Sequence, residues 1–142
     1  MIRFTIPGLR LPNHANGSQG VSVGAMHARK RERAAIRRTA EQVARATINS
    51  TKLGHVAFIL RGEPVVVTVT RVAPSAGLDE HDGLPHACKP VVDGIADALG
   101  LPRDRSERVT WRHDQRRGPW GVEVTIARRE TCPHCGAVQG AA

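Results

Sequence analysis

The alternation of apolar and polar positions predicts four strands along the chain. Near the start, apolar residues alternate with polar ones, which is typical of a short strand over residues 1–8. The β-branched run Val65–Val72 predicts a strand that is buried more deeply. Two further segments, Val109–His113 and Trp120–Ile126, show the same alternation, and Arg116–Pro119 predicts the turn between them.

A shorter apolar run, Val56–Leu60, predicts one more strand. Gly62-Glu63-Pro64 follows it, and this turn-forming sequence predicts a hairpin that joins the run to Val65–Val72. Residues 12–24 are rich in Asn, Gly and Ser, so we expect a loop there.

Helical periodicity predicts two helices, over His27–Ile48 and over Pro85–Leu99. Gly100 follows the second helix, and glycine is the residue that most often ends a helix. Pro90 lies within the second helix and either kinks it or marks its true beginning. Apolar stripes supply the core candidates: Ile36, Ala40, Val43 and Thr47 in the first helix, and Cys88, Val91 or Val92, Ile95 and Leu99 in the second.

The resulting order, β-α-β-β-α-β-β, predicts a mixed α/β (α+β) domain with a mixed sheet and two main helices. Neither an internal repeat nor a domain boundary interrupts residues 1–127, so we expect a single domain there. Residues 128–142 carry the sequence Cys-Pro-His-Cys and are interpreted as a tail attached to that domain.

An excess of positive charge points to a polyanionic partner. The 142 residues include 21 Lys and Arg against 13 Asp and Glu, a formal net charge of +8. Nucleic acid is favoured over a membrane, because no apolar run approaches the ~18 residues that span a bilayer. An arginine-rich composition alone would also produce this charge. The start of the chain lacks the features of a secretory signal, so we expect a cytoplasmic protein.

Three acids, Asp79, Glu80 and Asp82, crowd into four positions between the strand Val65–Val72 and the second helix. Their mutual repulsion is unfavourable unless water or a cation screens it. Two or three carboxylates are enough to hold Mg²⁺, which keeps several waters and can supply hydroxide for phosphodiester hydrolysis. An exposed acidic loop is more often simply solvated, so the three acids alone leave both interpretations open.

The residues from Leu78 to Leu101, followed by Arg108–Ile126, resemble the core of the RusA-type Holliday junction resolvases of many phage and prophage proteins. That family's pattern is an acid, one residue, Asp-Asn, a spacer, a lysine, an aspartate four residues later and a last acid after the helix. The matching residues are Glu80 (or Asp79) and Asp82 for the clustered acids, Lys89 for the lysine, Asp93 for the helix aspartate, and Asp104, with Glu107 as fallback, for the last acid.

The resemblance implies a homodimeric, Mg²⁺-dependent endodeoxyribonuclease that nicks branched DNA, with Mn²⁺ as an alternative ion. It implies that Glu80, Asp82 and Asp104 hold the metal, that Asp79 and Asp93 lie near them, and that Lys89 acts at the scissile phosphate. The basic residues expected at DNA phosphates are Arg29, Lys30, Arg31, Arg33, Arg37, Arg116 and Arg117.

The chain departs from the family's pattern at three places. Gly83 stands where the family usually has Asn, Pro90 replaces a helix former, and Pro102-Arg103 thin out the acids before Asp104. These departures leave open a second hypothesis, in which the protein binds branched DNA without cutting it.

Cysteine and histidine residues suggest further metal sites. Cys132 and Cys135 have the spacing of half a zinc site, but structural zinc needs four ligands and no second CxxC is present. Either Cys88, a distant histidine or the other subunit completes a Zn²⁺ site, which would suit a zinc-bearing adaptor, or the tail carries two free thiols. His81, His86 and Cys88 flank the acidic loop, and Cys88 is expected in the core because it falls on the apolar stripe.

Overall fold

The computed structural model describes residues 1–12, 21–75, 77–102 and 106–130. Within these residues the elements are β1 (Ile2–Pro7), α1 (Val23–Ser50), α2 (Leu53–Leu60), β2 (Val65–Ala73), α3 (Gly83–Ala98), β3 (Val109–Arg117) and β4 (Gly121–Arg128). The mixed α+β fold predicted from the sequence is therefore confirmed.

The strands form one mixed sheet in the order β1-β4-β2-β3. Strand β4 is antiparallel to both of its neighbours, whereas β2 and β3 are parallel along all nine residues of each. Strand β2 thus has a partner on each side, which fits its β-branched sequence. Helix α3 connects β2 to β3, as the crossover between two parallel strands requires.

The apolar face of the sheet packs against α1 and α3. Alternate residues of the two central strands are buried there, namely Val65, Val67 and Val69 of β2 and Val122, Val124 and Ile126 of β4. Helix α1 contributes Ile36, Ala40, Ala44 and Ile48, and α3 contributes Cys88, Val91, Val92 and Ile95. The buried stripe predicted for α1 is correct at Ile36 and Ala40. Farther along the helix the buried residues are Ala44 and Ile48. Each lies one position after the predicted Val43 and Thr47, which are only half-buried.

The ends of both long helices are set by local hydrogen bonds. Helix α1 begins at Val23, four residues earlier than predicted, because the Ser22 hydroxyl accepts a bond from the Ala25 amide at 3.2 Å. Helix α3 begins at Gly83, so Pro90 lies inside it. Gly100 adopts φ +67°, and the Leu101 amide donates to the Ala96 carbonyl at 3.0 Å, which confirms the predicted glycine terminator.

The predicted strand at Val56–Leu60 is wrong: this run belongs to helix α2. Val56 and Ile59 are buried while Leu60 is 64% exposed, which is a helical rather than an alternating pattern. A run of five apolar residues does not by itself distinguish the two structures. The hairpin predicted with it is also absent from this region, where residues 61–64 connect α2 to β2.

The turn predicted at Arg116–Pro119 is shorter than expected, because β3 continues through Arg117. Parallel pairing with β2 as far as Ala73 supplies the hydrogen bonds that extend the strand. Residues 118–120 make the turn instead, and β4 starts at Gly121.

Helices α1 and α3 lie side by side and run in the same direction, because residues farther along α1 contact residues farther along α3. Arg33 contacts His86, Arg37 contacts Asp97, and the Arg45 guanidinium bonds the Asp97 carbonyl. A Cβ added to Gly94 would lie 2.3 Å from the Arg37 carbonyl oxygen. The two helices therefore approach most closely where α3 has no side chain, and their N-termini lie at the same end of the domain.

Among the described helices, none combines the length and the apolar character needed to cross a membrane.

We expect Gly94→Ala to destabilise the protein by about 1–3 kcal/mol, because its Cβ would force α1 and α3 apart. The matched control is Gly54→Ala in α2, where a Cβ meets nothing within 4 Å. In that open position alanine should stabilise by about 0.5–1 kcal/mol through helix propensity. Urea unfolding of both variants measures the two effects, and shifts of the same sign and size would contradict the packing described above.

Candidate functional site

The acidic loop, residues 78–82, leads from the carboxyl end of β2 to the start of α3. Asp79 folds this loop: its Oδ1 accepts bonds from the amides of His81 at 2.9 Å and Asp82 at 3.0 Å. Its carbonyl also accepts a bond from the Leu84 amide at 2.8 Å. One carboxylate oxygen of Asp79 is therefore engaged in shaping the loop, as aspartate side chains often do in turns.

Glu80 and Asp82 are exposed and make no such bonds with their carboxylates. Asp82 occupies the N-cap position of α3, yet its side chain does not cap the helix. Across the described part of the chain, no hydrogen bond or ion pair reaches the carboxylate of either residue. Both carboxylates are thus available to a ligand, and two carboxylates with several waters form a donor set that Mg²⁺ accepts.

Gln115 of β3 holds the acidic loop against the sheet. Its side-chain oxygen accepts from the Leu78 amide and its side-chain nitrogen donates to the Leu78 carbonyl, both at 2.8 Å. Gly77 makes this contact feasible, because a Cβ there would lie 2.8 Å from the Gln115 nitrogen. The loop is therefore fixed at the carboxyl ends of the parallel strands β2 and β3, where ligands commonly bind in open α/β sheets.

Lys89 and Asp93 lie farther along α3. They form an ion pair with each other at 2.6 Å, one helical turn apart. From the helical rise, Lys89 lies about 10 Å and Asp93 about 16 Å along the axis from Asp82. Lys89 and Asp93 therefore share one polar face of α3, and Asp93 lies away from the acidic loop.

The remaining predicted metal ligands are not assembled with the loop. Asp104, Cys132 and Cys135 lie outside the described residues. Glu107, the fallback for Asp104, precedes β3 and so lies at the opposite end of that strand from the loop, about 26 Å away by strand rise. Among the described residues, no three His, Cys, Asp or Glu side chains come close enough to hold one metal ion.

Basic residues of α1 flank the loop on one side, but they are not equivalent. Arg37 forms a bidentate pair with Asp97 at 2.7 and 2.9 Å, and this contact raises the pKa of Arg37. Arg33 contacts the His86 ring at 3.3 Å, and Arg29 also has a partner. Lys30 and Arg31 are exposed and make no ion pair in the part of the chain that the structure describes. Arg37 therefore joins the two helices, whereas Lys30 and Arg31 remain accessible to a polyanion.

Arg116 and Arg117 lie at the end of β3, on the other side of the loop. Arg116 forms an ion pair with Glu123 of β4, which lowers the pKa of that carboxyl. Arg117 is exposed and has no ion pair within the described ranges. Gln115 contacts the acidic loop and lines one pocket with both arginines, so positive charge adjoins the loop at this edge too.

Arg71 was not identified from the sequence. It lies in β2 and is only 5% exposed, although it carries a charge. Its Nε donates to the Leu11 carbonyl at 3.3 Å, and its guanidinium lies 5.3 Å from the centre of the Trp120 ring, which Arg10 also approaches. Loss of hydration lowers the pKa of Arg71. The sequence did contain an indication, since Arg71 is the only charged residue of β2.

The residues around the start of α3 do not form a cysteine or histidine site. Cys88 is fully buried in the core, as predicted, and burial raises its pKa to about 12. His81 is exposed in the loop, and His86 contacts Arg33. No family model, curated protein or solved structure matches this chain.

We expect the thiol of Cys88 to resist alkylation in the folded protein at mildly alkaline pH, because only the thiolate reacts and burial disfavours it. Iodoacetamide labelling followed by peptide mass spectrometry separates Cys88 from Cys132 and Cys135. Cys88 should label fully only after unfolding in denaturant. Native labelling as fast as in denaturant would contradict its burial in the core.

Proposed function

We propose that the protein is a Mg²⁺-dependent endonuclease that cuts branched DNA. The observation that carries this proposal is the position of Glu80 and Asp82, two available carboxylates at the carboxyl ends of parallel strands. Exposed basic residues, Lys30 and Arg31 on one side and Arg117 on the other, flank this position. Carboxylates for a cation and basic groups for phosphates suit a phosphodiester substrate.

Glu80 and Asp82 would hold the metal, with Asp79 beside them. When bound, Mg²⁺ supplies a polarised water and neutralises charge at the phosphate. The protein's own contribution is to fix the ligands in place. Asp79 shapes the loop through two amide bonds, and Gln115 sets the position of the loop against β3.

Lys89 would reach a substrate phosphate only by exchanging its partner. Its ammonium pairs with Asp93 in the free protein, about 10 Å along α3 from Asp82. A phosphate near the loop competes with Asp93 for this cation, since charged oxygens are the preferred partners of an ammonium group. Lys89 would thus stabilise charge on the bound DNA, and Asp93 would hold it in position before binding.

A homodimer would present two such loops related by a two-fold axis. A four-way junction has matching symmetry, so each subunit would act on one strand of a symmetric pair. Branched DNA is then recognised mainly through its backbone and shape, which arginine and lysine side chains can read without base contacts.

We expect nicking of a synthetic four-way junction in Mg²⁺ or Mn²⁺, absence of nicking in EDTA, and little action on a linear duplex of the same sequence. Asp82→Asn should lower the nicking rate at least about a hundredfold, because it removes a metal ligand. The control is Glu130→Gln, which changes the charge equally at the opposite end of the sheet and should retain activity. Undiminished cleavage by Asp82→Asn would remove the acidic loop from the mechanism.

A second candidate function is binding of branched DNA without cleavage. It is favoured by the ion pair that occupies Lys89 and by the separation of Asp93 from the loop acids. It predicts junction binding that weakens steeply with salt, with no nicking in either ion.

Both functions predict the same basic surface. The double variant Lys30→Gln/Arg31→Gln should weaken junction binding and reduce the slope of log affinity against log salt by about 2, because two phosphate contacts are lost. The matched control, Lys52→Gln/Arg61→Gln, removes two exposed charges at the other end of the helices and should leave the slope unchanged. Equal slopes in the two variants would show that α1 does not contact DNA.

A further inference from the structure

A small cavity lies beside the acidic loop, at the carboxyl ends of β2 and β3. Its volume is about 170 Å³, and it is lined by Arg71, Ser75, Gly77, Gln115, Arg116 and Arg117. The cavity has room for several waters or for one small ion with part of its hydration. Among the six described residues that line it, three are arginines and none is acidic.

Arg71 differs from the other residues of this set, because it is buried and forms no ion pair with a carboxylate in the described part of the chain. Its Nε bonds the Leu11 carbonyl, and its guanidinium lies over the face of Trp120. A buried guanidinium normally pairs with an anion, since desolvation of an unpaired charge is costly. The bond to Leu11 uses Nε and leaves the two terminal nitrogens, which present the planar fork that binds phosphate.

The other arginines differ in how far they are already engaged. Arg116 pairs with Glu123, whereas Arg117 is exposed and has no ion pair in the described part of the chain. Ser75 adds an exposed hydroxyl at the rim, which can donate a hydrogen bond to an oxyanion. The cavity therefore combines a buried cation, a second accessible cation and a neutral donor.

We propose that this cavity is a phosphate-binding pocket, with Arg71 at its base, that receives a backbone phosphate of the DNA next to the one at the acidic loop. Gln115 lines the pocket and also bonds Leu78 of the loop, so the pocket and the loop share a wall. The assignment of DNA as the source of the phosphate rests on the proposed function. The pocket's preference for a phosphate group rests only on the residues that line it.

Binding of inorganic phosphate and binding of junction DNA are measured separately. Two-dimensional NMR of the full chain would record the Arg71 Nε–H resonance and the Gly77 amide during titration with phosphate, against chloride at matched ionic strength. We expect saturable shifts for phosphate alone. Ser75→Asp should abolish them, because it places a negative charge at the rim while leaving Arg71 and its packing intact. Ser50→Asp, the same substitution at the far end of α1, should bind phosphate as the unsubstituted protein does.

In the second arm, Ser75→Asp should bind a four-way junction about tenfold more weakly than Ser50→Asp, the loss expected for one charge-assisted contact. Shifts that are linear in phosphate and equal in all three proteins would overturn the pocket. Saturable phosphate binding with equal junction affinities would overturn the DNA backbone as its ligand and leave a site for free phosphate. Saturable phosphate binding in a protein that binds no DNA would refute the proposed function while the pocket stands.

Discussion

The close packing of α1 on α3 at Gly94 is the constraint on which the rest of the structure depends. A Cβ at this position would lie 2.3 Å from the Arg37 carbonyl, so the helices approach to a distance that only glycine permits. With this contact the two helices lie side by side and run in one direction, over a sheet whose two central strands bury alternate residues. As a consequence, the basic residues in the first half of α1 and the acidic loop before α3 lie at the same end of the domain.

That arrangement separates the charges of the protein into structural and available groups. Arg37 and Asp97 neutralise each other across the helix interface, and Lys89 pairs with Asp93 along α3. Glu80 and Asp82 keep exposed carboxylates, while Lys30, Arg31 and Arg117 keep exposed cations around them. A surface that places carboxylates among unpaired cations is poorly suited to an apolar ligand and well suited to a metal ion and a polyanion.

Several site residues were predictable because their chemistry is local. The acidic loop was found from the spacing of Asp79, Glu80 and Asp82, and the burial of Cys88 followed from its place on an apolar stripe. The roles of Arg37 and Arg71 could not be predicted from the sequence. Pairing of Arg37 with Asp97 joins residues far apart in sequence, and the burial of Arg71 depends on Leu11 and Trp120, which come from other parts of the chain.

The sequence by itself determined the mixed fold, the four strands, the two long helices and the glycine that ends α3, because periodicity and chain-terminating residues act over a few positions. It did not determine that Val56–Leu60 is helical, since a short apolar run satisfies either structure until Val56 and Ile59 find the core. Only the tertiary structure decided which charged residues neutralise one another and which remain available. Ion pairing depends on distances of a few ångströms between distant segments, and those distances are set by how the helices pack on the sheet.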